Sequence, residues 1–277
     1  MTTPSRNSPP ETSPPETSPP RNSRRRFLAT ALSTTLGAGL GAATLTACAS
    51  SDDSVPAVGP ANSLPPTSVQ PPGGPGPEAE PPVANGNEAL QRLVEGNRRF
   101  TENHLHHVDE GTERRIAVSK SQHPFATVLG CVDSRVPIEL VFDRGLGDLV
   151  VVRSAGGVLD QSVTGSLEFG VAELHTPLLM VLGHQRCGAV DATMKALDSK
   201  HTDAEGQIGY LVEALAPAVR QVTGKPGDRL ANAVHANVDL VLAQLRKSPV
   251  LGPLEKTGKV KLVGAYYELD TGKVIIS

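Results

Sequence analysis

No stretch before residue 86 can supply a core. From Met1 to about Asn85 the chain is mostly Pro, Ser, Thr, Gly and Ala, and outside one short segment it has almost no aromatic or large aliphatic side chains. Such a segment buries too little apolar surface to offset the entropy of ordering it. The fold must come from residues 86–277, about 190 residues, which is enough for one domain with a full core. The formal charge is only -3, and no basic stripe marks this part. Nucleic acid is therefore not an expected partner.

The N-terminal region reads as an address. A tandem Glu-Thr-Ser-Pro-Pro repeat over residues 11–20 gives an extended, solvated start, because each proline fixes the backbone and withholds a donor. Ser23-Arg24-Arg25-Arg26-Phe27-Leu28 follows and resembles a twin-arginine export signature. Behind it Ala29 to Ala47 is mildly apolar and is interrupted at Gly37, Gly39 and Gly41, which fits a removable signal better than a permanent membrane helix. Leu45-Thr46-Ala47-Cys48 closes the stretch and resembles a bacterial lipobox, in which the Cys is acylated. The expected organisation is an export signal with a disordered Pro-rich start over 1–47, a Pro/Gly-rich disordered linker over 48–85 and a globular domain over 86–277. The expected location is the outer face of the cell membrane, held by a lipid on Cys48, with plain secretion as the alternative. Two acyl chains anchor far better than one.

Beyond residue 86, helical and extended patterns alternate. Asn87 to His104 carries Leu90, Leu93, Val94 and Phe100 at helical spacing. Short apolar runs at Phe125–Leu129, Asp148–Val152 and Leu178–Leu182 end at Gly130-Cys131, Arg153 and Gly183-His184. Helices are predicted over Gln161–His175, Gly188–Leu197, Ile208–Val222 and Arg229–Leu245, then a strand, turn and strand over Val260–Ile276. Continuous apolar strands separated by helices predict an α/β fold with a mostly parallel sheet flanked by helices. An N-terminal helical arm and a C-terminal antiparallel edge complete it. Ligands in such sheets sit beyond the carboxyl ends of the strands, where Cys131, His184 and Cys187 fall.

The chain has three cysteines, and the lipobox accounts for Cys48. Cys131 ends one strand, and His184-x-x-Cys187 follows another. Two sulfurs and one nitrogen suit zinc and leave a fourth position open, as catalytic sites require. A disulfide between the two cysteines, ordinary buried thiols and a satisfied core histidine compete with that reading. Spacing alone does not decide among them. Asp133 and Arg135 follow Cys131 at alternate positions, so their side chains can point the same way, and an Arg beside an Asp keeps it ionised and oriented.

Cys131-x-Asp133-Ser134-Arg135 with His184-x-x-Cys187-Gly188 resembles the signature of the beta-class carbonic anhydrases. The similarity extends over Gly96–Phe100, Phe142–Asp148, Val152–Gly156, Gly165–Phe169 and Gly264–Gly272, and so over nearly all of Asn87 to Ile276. The resemblance implies that Cys131, His184 and Cys187 hold Zn2+ and that Asp133 and Arg135 form a catalytic dyad. It implies further that Gln122 and Val150 contribute to the substrate pocket and that the Gly188 amide helps to hold the Asp. Ser154 stands where the family usually has Asn. No Trp occurs, although some bacterial members use one to bind an inhibitory bicarbonate. The function implied is reversible hydration of carbon dioxide to bicarbonate and a proton, by a homodimer or homotetramer with its site at a subunit interface. The alternatives are a same-fold hydrolase of carbon disulfide or carbonyl sulfide and a non-catalytic zinc-binding lipoprotein. Storage of zinc has no use for the Asp133–Arg135 pair.

Overall fold

A computed structural model describes residues 81–107, 109–199 and 206–277. The export segment, Cys48 and most of the expected linker lie outside the described residues. Among those described, no helix is long and apolar enough to cross a membrane.

Helix α1, Gly86–Thr101, begins at Asn85, whose side chain accepts from the Asn87 and Glu88 amides. The Glu88 carboxylate reaches back to the Ala84 amide, so first-turn donors are satisfied from both sides. The expected arm packs on its own chain through Ala89, Leu93, Gly96 and Asn97, while Val94 faces outward. At Gly96 a Cβ would lie 1.9 Å from the Phe142 carbonyl oxygen, so only glycine lets the helix approach this closely.

Strands β1 (Ala126–Gly130), β2 (Leu149–Arg153), β3 (Leu178–His184), β4 (Lys261–Tyr267) and β5 (Val274–Ile276) form one sheet in the order β2-β1-β3-β4-β5. The first four are mutually parallel, and β5 runs antiparallel to β4, as expected for the C-terminal edge. Both faces of β3 are apolar. Leu178, Met180 and Leu182 join Ala89 and Leu93 of α1 in one core. Leu179 and Val181 join Leu167 and Val171 of α4 (Gln161–Ala172) and Val238, Val241, Leu242 and Leu245 of α7 (Arg229–Leu245) in the other. Period-two alternation with apolar residues at both phases therefore yields a strand covered on two sides.

Helices α5 (Gly188–Ser199) and α6 (Ile208–Gln221) complete the predicted set. Three short helices were not predicted: α2 (Thr112–Val118), α3 (Ile138–Val141) and α8 (Leu251–Lys256). The first buries none of its residues and the second is a single turn, so neither carries a periodic apolar signal. The third contains Gly252-Pro253, which reads as a break.

Asn97 ties the two ends of the domain together. Its amide donates to the Val141 and Gly272 carbonyls at 3.1 and 2.8 Å, and its oxygen accepts from the Val274 amide at 2.8 Å. The β4–β5 turn is thus pinned to the first helix.

Candidate metal centre

The carboxyl ends of β1 and β3 are neighbours, so Cys131 and the His184–Cys187 loop leave the sheet side by side. One ligand atom from each of Cys131, His184 and Cys187 lies within 4.8 Å of the others, and all three residues are buried. No disulfide joins the cysteines. The expectation of a zinc-type cluster survives, and the disulfide alternative does not.

Several local devices aim these groups. His184 Nδ1 lies 3.0 Å from the Gln185 carbonyl oxygen, which can only accept, so Nδ1 carries the proton and Nε2 presents its lone pair. Nε2 is buried and has no hydrogen-bond partner. An orphaned imidazole nitrogen facing two thiols suits a metal with nitrogen and sulfur preferences. The Cys131 sulfur accepts from the Gly156 amide at 3.3 Å. Gly156 sits in a 3-10 turn, Ala155–Gly157, at φ +65, and the buried Asn237 of α7 donates to its carbonyl at 2.8 Å. Ser154 donates to the Val158 carbonyl at 2.8 Å and so closes this turn, which accounts for a hydroxyl at that position.

The thiols titrate as a pair. The neighbouring Cys187 thiol draws Cys131 far below the ordinary thiol range, and His184 and the Gly156 amide add to this against the effect of burial. Cys187 is pushed up by the Cys131 sulfur and by burial. A divalent cation beside the two sulfurs would offset the repulsion that pushes the Cys187 thiol up.

Asp133 stands beside the triad. Its Oδ1 accepts from the Arg135 amide and Nε at 3.0 and 2.9 Å, its Oδ2 accepts from Arg135 Nη2 at 2.7 Å, and Oδ2 lies 3.9 Å from His184 Nε2. The Arg135 guanidinium holds the carboxyl below the usual carboxylate range. Arg153 donates to the Cys131 and Asp133 carbonyls at 2.8 and 2.7 Å, fixing the backbone between ligand and carboxylate. Gly188 opens α5; both Asp133 oxygens take the hydrogen bonds described here from Arg135.

A family model described as carbonic anhydrase matches residues 126–274, more than half of the chain. Carbonic anhydrase of Mycolicibacterium smegmatis is 39% identical over 196 residues, covering 70% of this chain and 94% of the relative. Carbonic anhydrase 2 of Mycobacterium tuberculosis is 36% identical over 199 residues, with the same coverage. The solved structure of the beta-carbonic anhydrase CcaA superposes with a TM-score of 0.54 at 26% identity, covering 68% of this chain and 94% of that one.

The chain belongs to the beta-class carbonic anhydrases.

Its reaction is thereby the reversible hydration of carbon dioxide, and its cofactor is zinc. Within the one chain described, Gln122 and Val150 do not reach the Cys131–His184–Cys187 cluster. Gln122 lies before the amino end of β1, whereas Cys131 lies past its carboxyl end. Val150 pairs with Thr127, four residues before Cys131 and so about 13 Å back along the strand. Gln122 and Val150 instead share a cavity of about 780 Å³ on the β2 side, with Arg153, Ser162 and Phe169. Asn237 is a supporting residue that motif reading missed. Its signal was present, as a lone polar residue on the buried stripe of α7 between Val234 and Val241.

Proposed function

We propose that Cys131, His184 and Cys187 hold the zinc and that Asp133 and Arg135 are the catalytic dyad. The observation that carries this is the buried triad with an unpartnered His184 Nε2, beside a carboxylate clamped by arginine. Zinc, when bound, supplies the Lewis acidity that makes water a nucleophile near neutral pH. Asp133, held ionised by Arg135, would accept a hydrogen bond from the nucleophilic water and so orient the water's oxygen lone pair toward carbon dioxide. Arg153 and the Gly156 amide keep the Cys131 loop in register with the carboxylate. Stopped-flow hydration of carbon dioxide, with zinc measured on the same sample, tests the assignment. We expect carbon dioxide to be turned over far faster than carbon disulfide or carbonyl sulfide. The reverse order would assign the site to hydrolysis of those sulfur compounds.

The working enzyme is a dimer or tetramer in which Gln122 and Val150 complete the partner's site. Strand β2 supports this: it is an edge strand made of half-buried valines, and such edges are usually covered. One assembled site then takes its metal from one chain and part of its substrate wall from the other. Sedimentation at working concentration should show a dimer or larger, and a fully active monomer would contradict the shared site.

The enzyme is exported and anchored on the outer face of the cell membrane through a lipid on Cys48. The ordered basic, apolar and Leu-Thr-Ala-Cys segments support this. Cys48→Ala should move the protein from the membrane fraction to the soluble fraction. An unchanged distribution would exclude lipidation and leave secretion.

A further inference from the structure

Two residues separate His184 from Cys187, and they are held by a residue far along the chain. Arg186 Nη1 and Nη2 donate to the two Asp270 oxygens at 2.8 and 2.6 Å. Gln185 Nε2 donates to Asp270 Oδ2 at 3.0 Å, and the Asp270 amide donates back to Gln185 Oε1 at 3.3 Å. The Gln185 amide donates to the Tyr267 carbonyl at 2.8 Å, where β4 ends beside β3. Asp270 lies in the β4–β5 turn that Asn97 pins to α1, so the clamp is fixed to the core and not to another loop.

The backbone of this loop needs holding. Arg186 has φ +53. The other five non-glycine residues at positive φ among those described are Asn, Asp or His, which visit the left-handed region readily. Arginine does not, and such a conformation persists only where its surroundings impose it. The conformation also has an outlet in the site, because the Arg186 carbonyl accepts from Arg135 Nη2 at 3.2 Å. That guanidinium is the one that grips Asp133.

We propose that Asp270 is a positioning residue: by clamping Arg186 and Gln185 it holds the His184–Cys187 loop in its left-handed turn and keeps the Arg186 carbonyl on Arg135. The inference rests on the site assignment above. The pair is half-exposed, so its contribution to global stability is small and its effect is local.

The test compares the parent, Asp270→Asn, Arg186→Gly and the double variant in the full-length protein. Steady-state hydration, zinc release to a chelator and thermal melting are measured on each. Asp270→Asn should lower kcat about tenfold and speed zinc release about tenfold, as losses of outer-shell partners do, while KM and the melting temperature stay near the parent's. Glycine adopts positive φ without penalty, so Arg186→Gly in the Asp270→Asn background should recover most of both losses. Parent-like kcat and zinc release in Asp270→Asn would overturn the proposal. So would a loss that the added glycine leaves in place. The parent's zinc content and hydration rate test the site assignment, whereas the variant-to-parent ratio of zinc release tests the clamp, so the two fail separately.

Discussion

Replacing Cys187 with Ala is expected to remove the metal and lower the melting temperature in one step. Cys187 is almost fully buried where the loop from β3 enters α5, and it supplies one of only two sulfurs in the triad. Without it, Cys131 and His184 remain, too few to hold zinc against dialysis. Zinc content should fall from about one per domain to near none. A metal present at a thousand times its dissociation constant contributes about 4 kcal/mol to stability. For a domain of this size that is roughly 8–16 °C in melting temperature. Metal analysis and a melting scan check both halves. The chelator-stripped parent should melt close to the variant, which separates metal loss from the small void left by the sulfur. Full zinc in Cys187→Ala would remove this residue from the ligand set.

Arg135→Ala should do the opposite: keep the metal and lose the reaction. The guanidinium makes both side-chain hydrogen bonds described for the Asp133 carboxylate, and Arg135's own amide adds a third. Cut loose, a carboxylate 3.9 Å from His184 Nε2 is drawn toward a divalent cation beside that nitrogen. Asp133 would then occupy the position that substrate chemistry needs. We expect turnover to fall by about a hundredfold or more, a typical cost of removing a group aimed at the reacting atoms. Zinc content should match the parent's. Near-normal hydration in Arg135→Ala would falsify the role given to the dyad.

Much of this molecule was legible before any coordinates. The boundaries of α7 follow from apolar periodicity on one buried stripe, and the cores of β1 and β3 follow from continuous apolar runs covered on two sides. The triad and dyad were legible because their residues are close in sequence and chemically distinctive. Gln122 and Val150 were assigned to the substrate pocket by resemblance, Gln122 in a site shared between chains, yet within one chain they lie away from the Cys131–His184–Cys187 cluster, because distance across the sheet is not written into local sequence. The Arg186–Asp270 clamp was invisible for a related reason. Its partners are 84 residues apart, and each alone reads as an ordinary surface charge.

The Asn97 junction has a consequence for the time course of synthesis. The residues it joins, Asn97 and Gly272, are separated by 175 positions. At ribosomal speeds of 5–20 residues per second, roughly 10–35 s pass between the birth of α1 and that of the turn that secures it. During that interval the nascent helix has no β4–β5 turn to grip, and its apolar face waits for a sheet still being made. A transcript truncated just before Gly272 would therefore damage the beginning of the domain as well as its end. The β4–β5 hairpin acts as a latch, and α1 lacks its Asn97 partners until that turn has been made.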